Sequence, residues 1–562
     1  MPDSNECRNN ITSEDYADFI IEYNTSQREF LQRYKDSCPQ VVGTRYGIVY
    51  EKLENVLPIR VQEYSYRAVP KLYGEMDTEA VEATGSVRLQ NVPGLNLRGQ
   101  GVIIGVIDSG IDFTHPAFRY SSGQSRIISI WDQTDDTGNV PEFLNYGTEY
   151  TTEDINRALS GDNPFDIVRS RDETGHGTFL AGVAAGSESV ENDFIGAAPE
   201  AMIAVVKLKQ AKQYLRDYYF VDSDVIAYQE NDIMAGIRYL EILASRNDRP
   251  LVICLGVGTN QGAHSGDSYL ETVINELSGN TGRCVVVPTG NEGNARHHYQ
   301  GTANEAVEQN VEIRVDRSFV LELWGNAPDL LSIAIISPTG EVVPRIPARI
   351  GRSDVLTFLF ESTVIYVDYR IVEQRSGAQL IFMRFENPTP GIWKIQVLGE
   401  NLITGIFHMW LPITAFVGEN TFFLNPEPNV TLTSPSPAAR AVVTGGYNSL
   451  NGTFFIESGR GFTRSTTIKP DIVSPSVNVY GPSLNGGYQM RTGTSVGAAL
   501  TTGAAAQLFQ WGIINGNQTD MNSVDMKNFL IRGAQRSRDI TYPDRQWGWG
   551  KVDVYTALDI LR

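Results

Sequence analysis

Hydrophobic positions along this chain change their spacing twice, and each change marks a predicted change of architecture. Between residues 101 and 287 uninterrupted apolar runs recur, among them Gly101–Ile107, Ala201–Val206 and Leu251–Leu255. Runs of β-branched residues without polar alternation are typical of parallel strands buried on both faces. Helical stretches such as Asp232–Ala244 fall between the runs. This alternation predicts an α/β fold in which a parallel sheet is sandwiched by helices.

Residues 305–425 show a second pattern, in which short apolar segments are separated by turn signals. Val311–Val315 and Phe319–Trp324 are two such segments, and Ser337–Gly340 and Asn387–Gly391 are two of the turns. Short strands between regular turns are typical of a β-sandwich or jelly roll. Because the α/β pattern resumes after this region, we predict an all-β domain inserted into the α/β unit.

The first 76 residues form a third region. Apolar residues recur at helical spacing between Tyr16 and Tyr34, and strand-like runs follow at Gly47–Tyr50 and Ile59–Tyr66. The region is therefore predicted to be a small α/β unit. The predicted parts of the chain are 1–76, 77–304, the insert 305–425, and 426–562, where the second and fourth parts form one α/β unit.

Charge and composition argue against several classes of partner. The 562 residues carry a formal net charge of -20, which argues against a nucleic-acid partner because such proteins need a basic surface. No apolar run approaches the roughly 18 residues of a membrane span, so no membrane partner is expected. The first six residues are polar and acidic, and they show no signal peptide.

The four cysteines show no metal-ligand spacing and no disulfide framework is expected. Cys254 and Cys284 lie in apolar runs and are predicted to be buried free thiols, which suits a reducing compartment. The acidic segment 132–136 offers oxygen ligands to a structural calcium ion. It lacks a recognisable loop pattern, so a solvated turn is favoured and no metal is assigned. The adjacent His297 and His298 are interpreted as surface-loop residues.

Three glycine-flanked motifs carry the chemistry of the chain. Asp108 lies in VIDSGID at the end of a buried run, His176 lies in GHGT, and Ser495 lies in GTSVGAA before a helix of small residues. Alone, each residue has a structural explanation as a turn aspartate, a core histidine or an N-cap serine. Together they supply a nucleophile, a general base and a carboxylate that orients the base.

In their order and in their motifs these three residues resemble the subtilisin-like serine proteases. The resemblance implies a subtilisin-like α/β fold and hydrolysis of protein or peptide substrates through an acyl-enzyme intermediate. It also implies that Asn291, in PTGNEGN, donates to the tetrahedral oxyanion, an interaction made only in the transition state. No cofactor is needed for that chemistry.

The resemblance also covers the substrate cleft, where a peptide pairs as an added strand. It implies that five residues line this cleft, namely Leu255, Gly256, Val257, Gly258 and Thr494. Cys254 stands at a position that is often serine in the family. Residues 1–76 resemble the family's propeptide, which acts as a folding chaperone and inhibitor and is cut by the enzyme's own triad. The cut is expected near residues 73–77, and the cleaved propeptide is expected to stay bound.

A finer resemblance is to the Csp-type proteases of spore-forming clostridia. These combine a retained propeptide, no signal peptide and a jelly-roll insert between the oxyanion asparagine and the serine, and the long segment between Asn291 and Ser495 fits that layout. Such enzymes activate a cortex-lytic hydrolase during germination, which implies a cytoplasmic or spore-associated protein of a Gram-positive anaerobe. Some members have lost triad residues, whereas this chain has all three.

Two alternatives to an active endopeptidase stay open. One is a catalytically silent scaffold in germination signalling that keeps the protease fold under a bound propeptide. The other is a carbohydrate-binding protein built on the insert, which contains Trp324 and Trp393, although scattered aromatics usually belong to a core. The insert carries none of the four residues assigned to catalysis, so we expect it to be dispensable for the chemistry and to add stability.

Overall fold

The computed structural model describes residues 4–61, 63–75, 84–90 and 96–559. The N-terminal unit contains α1 (Ser4–Thr12), β1 (Tyr16–Glu22), α2 (Gln27–Arg33), β2 (Gln40–Val41), β3 (Tyr46–Lys52), α3 (Leu53–Val56) and β4 (Leu72–Glu75). The first three strands form an antiparallel sheet in the order β1-β3-β2, whereas β4 pairs with strands of the next unit.

Two local predictions for this unit are wrong. The segment predicted as one helix from Tyr16 to Tyr34 is a strand and a shorter helix, because Ser26 and Glu29 form a capping box that starts α2 at Gln27. The run Ile59–Tyr66 forms turns in its described residues rather than a strand. Arg370 of the insert donates to the backbone carbonyls of Val61 and Tyr64, so these two acceptors are satisfied without a sheet.

The following unit is built from two segments of the chain on either side of the insert. The first contains α4 (Ser86–Gln90), β5 (Ile103–Asp108), β6 (Ile127–Asp132), β7 (Thr148–Thr151), α5 (Thr152–Leu159), α6 (His176–Ala185), β8 (Met202–Lys207), α7 (Gln213–Tyr219), β9 (Tyr228–Gln229), α8 (Glu230–Arg246), β10 (Leu251–Leu255), β11 (Val257–Gly258), α9 (Tyr269–Leu277) and β12 (Arg283–Pro288). The second contains β24 (Val442–Tyr447), β25 (Ile472–Pro475), β26 (Val479–Pro482), β27 (Tyr488–Arg491), α11 (Thr494–Phe509), α12 (Ser523–Gly533) and α13 (Val554–Asp559).

An eight-stranded sheet forms the centre of this unit, in the order β25-β24-β12-β10-β5-β8-β6-β7. All neighbours are parallel except β6 and β7. Strand β5 is buried on both faces: Ile104 and Val106 pack with α6 and α11, and Ile103 and Ile107 pack with α8 and α9. The predicted parallel sheet between helices is confirmed.

Helix α11 is buried at all 16 positions, which explains its composition. A Cβ on Gly503 would lie 2.4 Å from the Cβ of Ala197 and 2.7 Å from the carbonyl oxygen of Ala184. Only small residues allow the helix to approach its neighbours this closely, so the sequence of α11 is a consequence of packing.

The insert consists of two antiparallel sheets of six and five strands. Its elements are β13 (His298–Thr302), β14 (Gln309–Val315), β15 (Phe319–Gly325), β16 (Leu330–Ile336), β17 (Val342–Ile346), β18 (Ser353–Thr357), β19 (Val364–Arg370), β20 (Gln379–Glu386), β21 (Gly391–Glu400), β22 (Ile406–Trp410), α10 (Thr414–Val417) and β23 (Phe422–Phe423). The predicted all-β insert is confirmed, and its first strand begins at His298.

The core of the insert accounts for its aromatic residues. Strand β21 alternates buried and partly exposed positions, and Trp393 on it is fully buried beside Phe358 and Phe385. Trp324 is also buried, against Tyr66 of the N-terminal unit. Neither tryptophan is exposed to bind a sugar, which removes the observation on which the carbohydrate-binding alternative depended.

Arg67, which is buried, joins all three units through ion pairs. It donates two parallel hydrogen bonds, of 2.6 and 2.9 Å, to Glu373 of the insert and lies 3.2 Å from Asp267 of the central unit. Although burial opposes it, Arg67 lowers the pKa of Glu373 to about 2. Tyr66 adds a 2.6 Å hydrogen bond to Glu322 of the insert. The N-terminal unit is therefore part of the folded molecule rather than an appendage.

A second buried network anchors strand β1. Lys212 lies 2.6 Å from Asp18, and Gln229 and Asn231 donate to the other oxygen of that carboxylate at 2.9 and 3.0 Å. All four side chains are buried. Because both oxygens of the Asp18 carboxylate have partners, its burial is tolerated. Separating the two units would leave this carboxylate without those partners.

The cysteines differ in part from the expectation. Cys7 and Cys38 are joined by a disulfide that links α1 to the chain after α2, a pairing that the sequence analysis does not predict. Cys254 and Cys284 are free and buried as predicted, and burial raises the pKa of each thiol to about 12. No helix within the described ranges is long and apolar enough to cross a bilayer.

Replacing Arg67 by Ala is expected to destabilise the three joined units by about 3–5 kcal/mol, because Glu373 would stay buried without its partner. The measurement is urea unfolding followed by tryptophan fluorescence. The exposed Arg28 of α2 provides a matched control, and Arg28→Ala is expected to stay within about 0.5 kcal/mol of wild type. Equal urea midpoints for the two variants would show that Arg67 does not stabilise the contact between the units.

Candidate active site

Asp108, His176 and Ser495 meet at the carboxyl end of β5. Asp108 Oδ1 lies 2.7 Å from His176 Nδ1, and His176 Nε2 lies 3.3 Å from Ser495 Oγ. All three side chains are fully buried. The order of contacts is the one that lets a histidine take a proton from serine while a carboxylate holds its other nitrogen.

Glycines allow the aspartate and histidine segments to approach. Gly175 precedes α6 with a φ of 74°, a left-handed conformation that favours glycine. A Cβ on Gly177 would lie 2.2 Å from the carbonyl oxygen of Gly110 and 3.2 Å from the Cβ of Asp108. The GHGT motif is therefore required by the contact between α6 and the end of β5.

Asp172, to which no sequence motif assigns a role, organises the same segment. Its carboxylate accepts hydrogen bonds from the backbone N–H of Gly175 and Thr178, both at 2.9 Å, and from the hydroxyl of Ser109 at 2.8 Å. It thereby links the turn after β5 to the first turn of α6. Only its position four residues before His176 could have suggested this role.

Asn291 is held by the residue that precedes the serine. Its Oδ1 accepts from the backbone N–H of Thr494 at 3.1 Å and from the Thr494 hydroxyl at 2.9 Å. The NH₂ group then carries the donor capacity of this amide. Thr494, predicted to line the cleft, thus orients Asn291, while Ser495 lies in the first turn of α11.

The segment Leu255–Gly258 forms one wall of a cleft that is occupied by the chain's own strand β4. Glu75 pairs with Val257 and Gly74 with Gly258, and on its other edge β4 pairs with β9. The three strands form an antiparallel sheet in the order β11-β4-β9. The cleft therefore holds an extended peptide in the manner of strand addition.

Gly256 rather than Cys254 is the residue of this segment that lies against the triad. A Cβ on Gly256 would be 2.5 Å from Asp108 Oδ2 and 3.1 Å from His176 Cε1. Cys254 lies on β10, and Thr502 of α11 bonds its thiol. Leu255 ends β10 and is buried in the core.

The side chain of Glu75 lies beside the triad. One carboxylate oxygen accepts hydrogen bonds from the Tyr228 hydroxyl at 3.0 Å and the Thr174 hydroxyl at 3.2 Å. Ligand atoms of Glu75, Asp108 and His176 lie within 4.8 Å of one another. Burial, together with the charge of Asp108 and against that of His176, raises the pKa of Glu75 to about 7.

A polar cavity of about 450 Å³ opens beside Asn291 and Glu75. Glu292 lies on its wall, 2.7 Å from His297 Nδ1, and accepts from the backbone N–H of Thr414 at 3.0 Å. Ile413 and Thr414, both inside the predicted insert, also line it. A deletion of 305–425 would remove this wall, and the expectation that the insert is dispensable for the chemistry stays a prediction.

The adjacent residues His297 and His298 differ from what their sequence predicts. His297 and His298 are both buried, so the surface-loop interpretation is wrong. His297 bonds Glu292, and His298 Nε2 lies 3.0 Å from His408 Nδ1 within a stack that includes Trp410. The partners of His298 come from a strand more than a hundred residues away, which adjacency in the sequence does not reveal.

Comparison with known proteins identifies the family of this chain. The Subtilase family (peptidase S8) matches residues 99–315 and 415–550, which is more than half of the chain and excludes most of the insert. The chain belongs to the subtilase family. It is similar to the Clostridium perfringens CspB protease, with 29% identity, a TM-score of 0.76 and coverage of 85% of this chain and 98% of that one.

Curated relatives of this subtilase include much longer enzymes. The PII-type proteinase of Lactococcus lactis is 22% identical over 83% of this chain, and the chain spans 26% of that relative's length. An intracellular serine protease of Paenibacillus polymyxa is 32% identical over 20% of this chain and 24% of its own length.

Docking of β4 is expected to weaken as pH rises from 4.5 to 7. The docked Glu75 has the higher pKa, so its protonated form binds best. The equilibrium constant for docking of β4 is constant below pH 4.5. It falls by up to about two orders of magnitude between pH 4.5 and 7, and it is constant again above pH 7. The measurement is the rate at which a fluorophosphonate probe labels Ser495.

Glu75→Gln supplies the control for this pH series, because it keeps the shape of the side chain without titrating. The ratio of labelling rates, wild type over variant, cancels every pH effect that the two proteins share. It is expected to increase with pH between 4.5 and 7. A ratio that is independent of pH would show that Glu75 does not govern docking.

Proposed function

We propose that this subtilase is an active serine endopeptidase. The observation that carries the proposal is the contact of Ser495 Oγ with His176 Nε2 at 3.3 Å, next to a peptide strand that already occupies the cleft. A nucleophile, its base and a bound peptide backbone are thus in one place. Such proximity is a large part of what catalysis requires.

Each side chain has one role in the proposed reaction. Ser495 Oγ attacks the carbonyl carbon of the scissile bond while His176 takes its proton, and Asp108 stabilises the imidazolium. The oxyanion is held by the Asn291 amide and the backbone N–H of Ser495. His176 then gives its proton to the leaving amine, and water attacks the acyl-enzyme by the same route in reverse.

The first substrate of this enzyme is its own chain. Strand β4 lies in the cleft up to Glu75, and the predicted cut near residues 73–77 falls at this point; residues 76–83 lie outside the described ranges. Glu75 pairs with Val257, and the next residue of that cleft wall, Gly256, lies against the triad. We therefore assign the cut to the bond after residue 76.

The propeptide is expected to stay bound after the cut. The buried pairs of Asp18 with Lys212 and of Arg67 with Glu373 do not depend on the bond after residue 76. Release would leave these charges without partners, which costs more than exposing apolar surface alone.

The natural substrate proposed for the enzyme is the zymogen of a spore cortex hydrolase. The similarity to the clostridial CspB protease and the resemblance to Csp-type enzymes support this choice. The test is to add the wild-type or Ser495→Ala protein to a clostridial spore extract and to sequence new N-termini. A zymogen N-terminus made only by the wild type supports the proposal, and its absence contradicts the germination role.

A silent scaffold is the second candidate, because the triad is buried beneath the chain's own strand. A fluorophosphonate probe separates the two candidates. Labelling of Ser495 in the purified protein supports the enzyme, and a protein that neither labels nor cuts itself supports the scaffold.

Ser495→Ala is expected to abolish processing and to run as one band at 62.2 kDa, the mass of the whole chain. Wild type is expected to run as two bands that elute together in gel filtration. His176→Ala should be equally inactive, and the double variant no worse, because triad members act as a unit. Two bands from Ser495→Ala would show that another protease makes the cut.

Asn291→Ala is expected to slow the first-order rate of self-cleavage about 10²- to 10³-fold, a magnitude known from subtilisin itself. The exposed neighbour Asn294 lines the same cavity and serves as the matched control. Asn294→Ala should cleave itself at the wild-type rate. A similar loss in both variants would point to a general disturbance of this loop rather than to an oxyanion donor.

A further inference from the structure

The side chain of Glu75 has its own binding site, separate from the backbone pairing of β4. Two hydroxyls from different elements converge on its Oε1 atom, Tyr228 from β9 at 3.0 Å and Thr174 from the turn before α6 at 3.2 Å. Tyr228 is almost wholly buried. We call these two hydroxyls, with the edge of His176, the Glu75 pocket.

Backbone pairing by itself does not select this side chain. The ladder joins Gly74 and Glu75 to β11 and Tyr73 to β9, and any residue could supply the same N–H and C=O groups. In strand addition the ladder supplies affinity and the side-chain pockets supply sequence selectivity. The Glu75 pocket is therefore the part of the cleft that contacts the substrate side chain at the position that pairs with Val257.

The pocket requires an acceptor and not a charge. Both hydroxyls can donate to one oxygen, and Asp108 and Asp172 place negative charge nearby that disfavours a further carboxylate. A protonated glutamate and a glutamine offer the same carbonyl oxygen at the same reach. Alanine or leucine at this position would leave the buried Tyr228 hydroxyl without this acceptor, which is the kind of loss that sites use to reject substrates.

We propose that Tyr228 and Thr174 make this subtilase selective for glutamate or glutamine at the substrate position that pairs with Val257. If the cut falls after residue 76, this is the next-to-last residue before the scissile bond. The inference rests on the proposed endopeptidase function and names the substrate class of that same site. Tyr228 is a specificity residue here, and it takes no part in the proton transfers assigned to the triad.

A double-mutant cycle between Tyr228 and Glu75 tests the inference in the full chain. The first-order rate of self-cleavage is followed by pulse-chase for wild type, Tyr228→Phe, Glu75→Ala and the double variant. Tyr228→Phe is expected to slow wild type roughly three- to tenfold, as the loss of one buried hydrogen bond does. It should leave the rate of the Glu75→Ala chain unchanged within about twofold.

Two further variants separate recognition from packing. Glu75→Gln should retain the wild-type rate within about threefold, whereas Glu75→Leu, which is of similar size but has no acceptor, should be as slow as Glu75→Ala. Tyr299 of the insert, whose hydroxyl bonds Gln309, gives a matched control, and Tyr299→Phe should cleave normally. Equal slowing by Tyr228→Phe in the wild-type chain and in the Glu75→Ala chain would overturn the inference.

Peptides cleaved in trans extend the test to other substrates. The probes are quenched peptides with the sequence of residues 71–78 and Glu, Gln, Ala or Leu at the position of Glu75. Cleavage of the Glu and Gln peptides about tenfold faster, the ratio expected for one buried hydrogen bond, supports the pocket, and uniform cleavage of all four overturns it. Self-cleavage that is absent in wild type would instead refute the proposed function, so the two failures are distinguishable.

Discussion

The antiparallel pairing of β4 with β9 and β11 is the contact on which the rest of the molecule depends. Without it two short strands would expose unpaired edges on either side of the triad. With it the cleft is filled, the triad is buried and the N-terminal unit is tied to the catalytic one at a third place, besides the Arg67 and Asp18 networks. The carboxylate of Asp18 and the guanidinium of Arg67 can be buried beside this pairing because Lys212 and Glu373 carry the opposite charges.

The parts of the structure that sequence predicts are those in which neighbouring residues determine one another. The apolar run of β5 predicts a strand buried on both faces, and Asp108 is the last residue of that strand. The small residues of α11 and the glycines around His176 indicate close packing. For these segments a few consecutive side chains contain the physical reason for the structure.

The parts that sequence misjudges depend on partners distant in the chain. His298 is buried because a strand of the insert brings His408 against it, and Ile59–Tyr66 needs no sheet because Arg370 bonds its carbonyls. The same holds for the disulfide of Cys7 with Cys38, which lie 31 residues apart in the sequence. Residue type and spacing do not predict which residues distant in the sequence contact each other in the fold.

The wall that Ile413 and Thr414 add to the cleft links two parts of the protein that would otherwise be independent. If the insert loosened, on heating or on binding another molecule, Ile413 and Thr414 at the start of α10 would move, and the wall of the cleft would move with them. The shape of the cavity beside Asn291 thus depends on a domain that contains none of the four residues assigned to catalysis.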